Sequence, residues 1–500
     1  MNRPLACLFV SLALSGTAAA KDLVGVYEDA LKSDPQIRQA DANRLAARES
    51  RPQAWAAVLP QLSGNLSSTR EKQDGTQGSI NFDQNGVAFP TTTPIVSNST
   101  ARTWGLNLRE SVFSWSNWMA IKQADIQVAQ AQATYEAAQQ NLILRVAQAY
   151  FNVLSALDGL EANQASLEAI SRQLDQANKR FEVGLIAITD VQEAKAARDT
   201  AAAAVIAAKR TLATAGDQLS EITGQKYDDL NKPGDDMPLN TPQPANEDEW
   251  VTASLERNVS LLSNKLAADI ARDNVKIAFG GHLPTFDILA SKSRTTNNES
   301  EAFPPGSPVN VDSAINDRQF TLQLSVPLYS GGLTQSKVRQ SQYLWIAAKE
   351  AVVQSSRATE RQARDAYLGV ISGIARVQAL RQALESSQTA LKATEAGYEV
   401  GTRTAVDVLN SRRTLVQAQT DYAVSRYDYI VSVIQLRLAS GNLSVSDVTE
   451  INKWLAVSAP TVPPKPIEAP AQPQVMEQPQ ASPPPTGQAP QPPTPEPPRR

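Results

Sequence analysis

One long stretch of this chain is written twice. Arg180 to Gly224 and Gly397 to Gly441 align without a gap, each residue of the second copy lying 217 positions after its counterpart. The register pairs Phe181 with Tyr398, Glu182 with Glu399, Val183 with Val400, Gly184 with Gly401, Asp190 with Asp407, Val191 with Val408 and Gly224 with Gly441. Self-similarity at a fixed offset marks a duplicated structural unit. Whatever one half of the chain folds into, the other half has to repeat.

Each copy reads as the tip of a helical hairpin. A long helix stops at a glycine that accepts the left-handed conformation, Gly184 or Gly401, and a second helix restarts a few residues later. Thr189 with Gln192, and Thr404 with Asp407, have the three-residue spacing of a capping box, strict in the first copy and looser in the second. Upstream of Gly401, residues Val377, Leu380, Leu384, Leu391 and Tyr398 fall on alternating three- and four-residue steps, with Ser387 and Thr394 in the same register. That is a coiled-coil seam. Leu160, Leu167, Ile170, Leu174, Ala177 and Phe181 repeat it in the first copy, facing a return helix whose small residues at Ala201 to Ala208 permit close approach.

The segments that carry these hairpins are long. Trp118 to Phe181 contains no proline and one glycine, Gly159, and Thr334 to Thr394 is similar with Gly369 and Gly373. A continuous helix over the first would extend roughly 95 Å, which requires coiled-coil or repeat packing. Ahead of each lies a shorter helical pattern, Leu23 to Val58 and Trp250 to Phe279, closed by Leu59-Pro60 and Leu283-Pro284. Strand patterns follow, weakest at Leu62 to Thr69, then Thr103 to Phe113, Thr285 to Ser291 and, most clearly, Gln319 to Tyr329 with Phe320, Leu322, Leu324, Val326 and Leu328 alternating against polar residues. Between the strands of each pair, Glu71 to Thr100 and Thr295 to Asn316 are rich in Gly, Asn, Ser, Thr and Pro and read as long loops.

The expected organisation is a secretory signal at 1–20, ending in Thr-Ala-Ala-Ala before Lys21, and a first repeat at 21–224 with strands near 59–70 and 102–114. An acidic linker at 225–249 leads to a second repeat at 250–441 with strands near 283–294 and 317–329. A segment at 442–459 with an amphipathic helix over Val445 to Leu455 precedes a disordered tail at 460–500, which holds about half of the 31 prolines. The one cysteine, Cys7, leaves with the signal, so the mature chain makes no disulfide and offers no thiol ligand. Leu5-Ala6-Cys7 precedes most of the apolar run instead of following it, unlike a lipoprotein box.

Composition excludes several classes. A mean hydropathy of −0.31 and the lack of a 20-residue apolar run argue against a bundle of membrane helices. A net charge of −4 gives no basic face for nucleic acid. His282 is the only histidine, with no second His or Cys beside it, and reads as structural. No nucleophile elbow, phosphate loop or metal motif is present, so no enzyme activity and no cofactor is expected. Phe113, Trp115 and Trp118 suit either an interfacial aromatic belt or a packed junction. If the four greasy-faced strands span a membrane, their ladder groups need closure into a barrel of at least about eight strands, so several chains have to share one. The alternative is a sheet packed on helices in a soluble periplasmic coiled-coil adaptor or scaffold.

The motif order resembles the TolC family of outer-membrane channel-tunnels. The residues that carry the resemblance are Asp34-Pro35, Leu59-Pro60-Gln61-Leu62, Ala149-Tyr150-Phe151-Asn152-Val153-Leu154, Arg180-Phe181-Glu182-Val183-Gly184-Leu185 with Ala187-Ile188-Thr189-Asp190-Val191-Gln192, Gly281-His282-Leu283-Pro284-Thr285, Tyr329-Ser330-Gly331-Gly332, and Ala396-Gly397-Tyr398-Glu399-Val400-Gly401-Thr402-Arg403-Thr404. It spans about Asp22 to Leu455. The resemblance implies an α+β fold and a homotrimer, in which four strands per chain build a shared 12-stranded transmembrane β-barrel. A long periplasmic α-helical barrel of coiled-coil hairpins would continue it, closed at its inner end. It further implies insertion in outer-membrane lipid of a Gram-negative cell, docking with a periplasmic adaptor (membrane fusion) protein and an inner-membrane RND, ABC or MFS transporter, and export of drugs or secreted proteins. At the gate, Thr189 and Asp190 match family positions that hold Tyr398 and Arg403 of the other hairpin. Asp407 matches an acidic ring at the constriction. Its family partner one turn later is an aspartate, where this chain has Asn410, which halves the ring charge. Read without the family, Thr189 is an N-cap, Asp190 suits a helix N-terminus and Arg403 is a solvated turn charge.

Overall fold

A computed structural model describes residues 20–234, 237–302 and 309–461. The expected signal and Pro-rich tail therefore lie outside the described residues, apart from Ala20, Pro460 and Thr461.

The first helical pattern is not one helix but three: α1 (Leu23–Ser33), α2 (Pro35–Arg48) and α3 (Ser50–Ala56). Pro35 breaks the run, since it supplies no N–H and pushes the residue before it out of the helical region. Asp34 accordingly sits at φ −61°, ψ 120° and caps α2 by accepting from the Gln36 N–H. The second pattern splits the same way at Asn258, into α6 (Glu247–Arg257) and α7 (Val259–Phe279).

The strands are longer than the sequence pattern predicts. β1 (Gln61–Phe82) pairs antiparallel with β2 (Ala88–Phe113), and β4 (Thr285–Ala302) with β5 (Val309–Ser325), giving one sheet in the order β1-β2-β4-β5. Glu71 to Thr100 and Thr295 to Asn316, expected as loops, are mostly paired strand. The first turn is only Asp83 to Val87, where the Asp83 carboxylate accepts from the Asn85 and Val87 N–H groups at 2.9 and 2.7 Å. These outer strand halves carry polar side chains on both faces and so lack the alternation by which a strand is read. β5 ends at Ser325, four residues before the expected limit at Tyr329.

Register fixes which side chains share a face. Leu62, Leu108, Ala290 and Phe320 lie directly opposite one another across the four strands, as do Leu66 and Trp104, and Ile288 and Leu322. The other face carries Asn65, Asn107, Thr103, Thr295, Gln319 and Gln323. The apolar face is uncovered within the chain: Leu66 is 91 % exposed and Phe320 68 %. Both outer strands, β1 and β5, have an edge without a described partner.

The two long helices, α4 (Trp115–Glu182, 68 residues) and α8 (Leu333–Glu399, 67 residues), each reverse into a return helix, α5 (Ile188–Thr223) and α9 (Ala405–Ala439). At 1.5 Å per residue the long helices reach about 100 Å. The seams are buried at Val377 and Leu391 and at Leu160, Ile170 and Ala177, whereas Phe181 at the tip end is 41 % exposed. The main core sits partway along the helices. Tyr150, Phe151 and Leu154 of α4 pack there with Leu212 of α5 and Ile430 and Ile434 of α9. A belt closes over it, made of α1, α10 (Val445–Asn452) and a two-stranded sheet of β3 (Asp229–Pro233) with β6 (Leu455–Pro460). The sequence pattern missed β3 and β6, each too short to show alternation. Tyr150 donates to the Asn231 carbonyl at 2.6 Å and Tyr427 to Asp158 at 2.6 Å, so each buried hydroxyl is satisfied, and burial raises both phenol pKa values.

At the junction between sheet and helices the tryptophans make contacts while Trp55 and Trp118 stay 44 % exposed. Trp115 Nε1 donates to the Lys276 carbonyl at 3.2 Å and Trp118 meets Trp55 edge-on at 6.3 Å. His282 stacks obliquely on Phe279 at 5.8 Å.

Candidate functional site

The two hairpin tips share the same glycine closure. At the first, Gly184 (φ +76°) donates to the Phe181 carbonyl at 2.9 Å and Leu185 to Arg180 at 2.8 Å, a Schellman closure of α4. At the second, Gly401 (φ +77°) donates to Tyr398 at 3.2 Å and Thr402 to Gly397 at 2.8 Å. The positive φ explains both glycines, because a side chain there costs about 1–2 kcal/mol in the left-handed region.

The restarts differ, and in the opposite sense to the sequence expectation. α9 begins with a complete capping box: Thr404 Oγ1 accepts from the Asp407 N–H at 3.2 Å while Asp407 Oδ2 accepts from the Thr404 N–H at 2.9 Å. α5 begins after Ala187, with no side-chain cap. Thr189 is therefore inside the first turn and is not the N-cap, and Asp190, not Gln192, holds the third helical position. The gap-free repeat dictates this, since it aligns Ala187 with Thr404. Pairing Thr189 with Thr404 slips the register by two residues.

Asp407 is thus held by its own helix. The Thr404 N–H and then the Thr404 hydroxyl, both donating to its carboxylate, keep its pKa below the usual range, with a smaller pull from Arg403. Asn410, one turn on, is exposed. Arg403 is exposed and its side chain lies over Gly397, where an added Cβ would stand 2.8 Å from the Arg403 Cγ. Gly397 is the counterpart of Arg180 in the repeat.

Among the described residues, no hydrogen bond or ion pair within the chain joins Thr189 or Asp190 to Tyr398 or Arg403. The intrachain link between the hairpin tips is a different one. The Arg180 guanidinium sits over the Tyr398 ring, 5.2 Å from its centroid, while Ile170 and Ala197 of the first hairpin bury Leu409 of the second. Arg180 and Gly397 are the residues that sequence reasoning passed over. Their inequality at one repeat position was the available signal. Within the second hairpin, α8 and α9 are tied by the Glu395–Arg412 ion pair and by Ser411 donating to Thr394 at 3.2 Å.

On the polar face of the sheet, near the helices, Arg109 meets Asp287 at 3.5 Å beside a cleft of about 290 Å³. Among the described residues no cluster of His, Cys, Asp and Glu fits a metal ion, and no helix is long and apolar enough to cross a membrane.

The family model described as "Outer membrane efflux protein" matches residues 26–225 and 250–442. The chain is 36 % identical over 462 residues to "Outer membrane protein TolC" of Escherichia coli K12, covering 91 % of this chain and 90 % of that one. It is 26 % identical over 456 residues to "Alkaline protease secretion protein AprF" of Pseudomonas aeruginosa, covering 90 % of each. Among solved structures, the Campylobacter jejuni CmeC outer membrane channel superposes with a TM-score of 0.66 at 17 % identity, over 91 % of this chain and 98 % of that one. The Vibrio cholerae outer membrane protein VceC gives 0.65 at 20 % identity, over 84 % and 96 %. These two likenesses establish the fold.

Proposed function

The chain belongs to the outer membrane efflux protein family and is an outer-membrane protein, and from that premise we propose that three copies form a single exit duct for efflux and for type I secretion. The observation that carries the assembly is the sheet. Its four strands end in two unpaired edges and expose one apolar face, an arrangement that hydrocarbon tolerates only when the edges are closed. Pairing β5 of one copy with β1 of the next removes every edge and gives 12 strands, with the Asn, Thr and Gln face lining water and the Leu and Phe face in lipid. The long hairpins continue the duct as a helical barrel.

The gate lies at the tips. Thr189 and Asp190 of one hairpin engage Tyr398 and Arg403 of another, within and between protomers, and Asp407 faces the axis. Gly397 supports this reading, because its missing side chain leaves room for Arg403 to lie across the tip. A partly exposed ion pair contributes about 0–1 kcal/mol and a charge-assisted hydrogen bond about 1.5–3 kcal/mol. Three copies of such a latch hold a pore shut and still yield to a partner. A periplasmic adaptor and an inner-membrane transporter of the RND, ABC or MFS class supply that partner. The similarity to a protein named for protease secretion supports polypeptide as well as drug cargo.

The test is planar-bilayer conductance of the purified mature protein beside Arg403→Ser. Small stable steps in the parent and larger ones in the variant are expected. Unchanged conductance in a folded trimer overturns the latch, and silence from both in folded oligomer favours a periplasmic scaffold.

A further inference from the structure

The apolar face of the sheet ends in a line of cations. Followed from the helix end toward the hairpin turns, every strand shows on this face apolar residues, interrupted on β1 by Gly64 and Ser68, and then, as its first charge beyond them, a basic residue. Leu66 is followed by Arg70 on β1, Trp104 by Arg102 on β2, Ala290 by Lys292 and Arg294 on β4, and Phe320 by Arg318 on β5. All five basic residues are exposed, and among the described residues none has an ion-pair partner. The acids of this face lie elsewhere. Glu110 is at the helix end, Asp74 pairs with Lys72 at 3.4 Å, and Asp312 accepts from Asn298 at 2.9 Å nearer the hairpin turn. On the opposite face the sign reverses, with Glu71, Asp287, Glu299 and Asp317 against Arg109.

Two features separate this line from ordinary surface charge. Lys292 and Arg318 are directly opposed across β4 and β5, and like charges in that position are destabilising unless an anion lies between them. The line also climbs diagonally across the sheet, from Arg318 on β5 to Arg70 on β1, which sits six residues further along the register. Strands of a closed barrel tilt by about 35–45°, so level positions on neighbouring strands are offset in this stepwise manner, and the apolar edge climbs with the cations.

We propose that these side chains form a girdle that binds the phosphate headgroups of an anionic lipid at the outer rim of the membrane, the rim away from the helices. The proposal rests on the barrel reading above, which puts this face in lipid. Arginine forks grip phosphate oxygens bidentately while their aliphatic stems lie on the apolar band, and basic side chains beside anionic lipid are a recognised mode of headgroup binding.

The test titrates bisphosphorylated lipid A, phosphatidylcholine and inorganic phosphate separately into purified trimer in neutral detergent, with binding read by native mass spectrometry. The parent is compared with Arg102→Gln/Arg294→Gln/Arg318→Gln. One basic group beside an anionic leaflet changes binding about fivefold, so the triple variant is expected to lose about 100-fold in lipid A affinity while its conductance stays at the parent's value. Equal binding of phosphatidylcholine, equal binding of inorganic phosphate, or an unchanged affinity in the variant overturns the girdle and leaves the barrel standing. A parent that neither inserts nor conducts overturns the barrel reading and the girdle with it. Should the triple variant not assemble, Arg294→Gln alone decides, with about fivefold loss expected and no loss refuting the site.

Discussion

Replacing Thr404 by alanine tests whether the hairpin tips are held by their helix ends. The change removes the hydroxyl that accepts from the Asp407 N–H at 3.2 Å and donates to its carboxylate at 2.9 Å, while the Thr404 N–H bond to Asp407 survives. Loss of a threonine N-cap costs about 1 kcal/mol, so the frayed first turn of α9 becomes about fivefold more populated. The first hairpin supplies the inverse experiment. Ala187→Thr places a hydroxyl three residues before Asp190, where α5 has no side-chain cap, and should stabilise that turn by a similar amount. Amide hydrogen exchange reads both. Asp407 is expected to exchange about fivefold faster in Thr404→Ala, and Asp190 about fivefold slower in Ala187→Thr. Rates that stay at the parent's values in both variants refute the argument that capping sets the stiffness of the tips.

Other outcomes follow from the same geometry. Asp407→Asn should weaken cation preference, read as a shift of reversal potential in a salt gradient, and an unaltered potential refutes a role for this carboxylate in the pore. Hydrogen bonds from Thr404 hold the Asp407 carboxyl below its usual range, so it stays charged where an ordinary aspartate has begun to protonate, and the stability those bonds add, present above the unfolded pKa, is lost as pH falls through the lower folded value. Cation preference should therefore persist at about pH 4, where an ordinary aspartate is half protonated, and its loss at that pH contradicts the assignment. Arg145→Ala strands the Asp34 carboxylate, whose side chain is only 3 % exposed and is paired with that guanidinium. A destabilisation of about 3 kcal/mol is expected in thermal or denaturant unfolding, and a change below about 1 kcal/mol shows that the pair is dispensable.

The duplication, the seams, the glycine turns and the strand segments nearest the helices were legible, because each rests on local rules: a 3.5-residue period, a positive φ, a two-residue alternation. What was misread depended on context. Glu71 to Thr100 has strand geometry without strand patterning, since a ribbon with polar side chains on both faces has no buried side to declare it. Thr189 looked like a cap because threonine before a glutamine at three residues is a common start, yet the repeat had already aligned Thr404 with Ala187. The charge line on the sheet was invisible as sequence. Arg70, Arg102, Lys292, Arg294 and Arg318 are scattered over 249 residues, and only the register brings them to one edge of one face.

The distribution of packing decides where such a molecule can move. The large core lies partway along the helices, where Tyr150, Phe151, Ile430 and Ile434 are essentially inaccessible and a belt of α1, α10, β3 and β6 covers them. Toward the tips the core thins to two small clusters, Ile170 with Ala197 and Leu409, and Ala177 with Val191 and Ala194. Alanine buries little area, and each buried methylene contributes only about 0.8 kcal/mol, so separating the hairpins at their ends costs far less than opening the belt. Opening free energies in a folded chain follow such local contact density. The proposed gate would belong at that end, where the Arg180 guanidinium over the Tyr398 ring is the polar link between the hairpins and the packing to be broken is least.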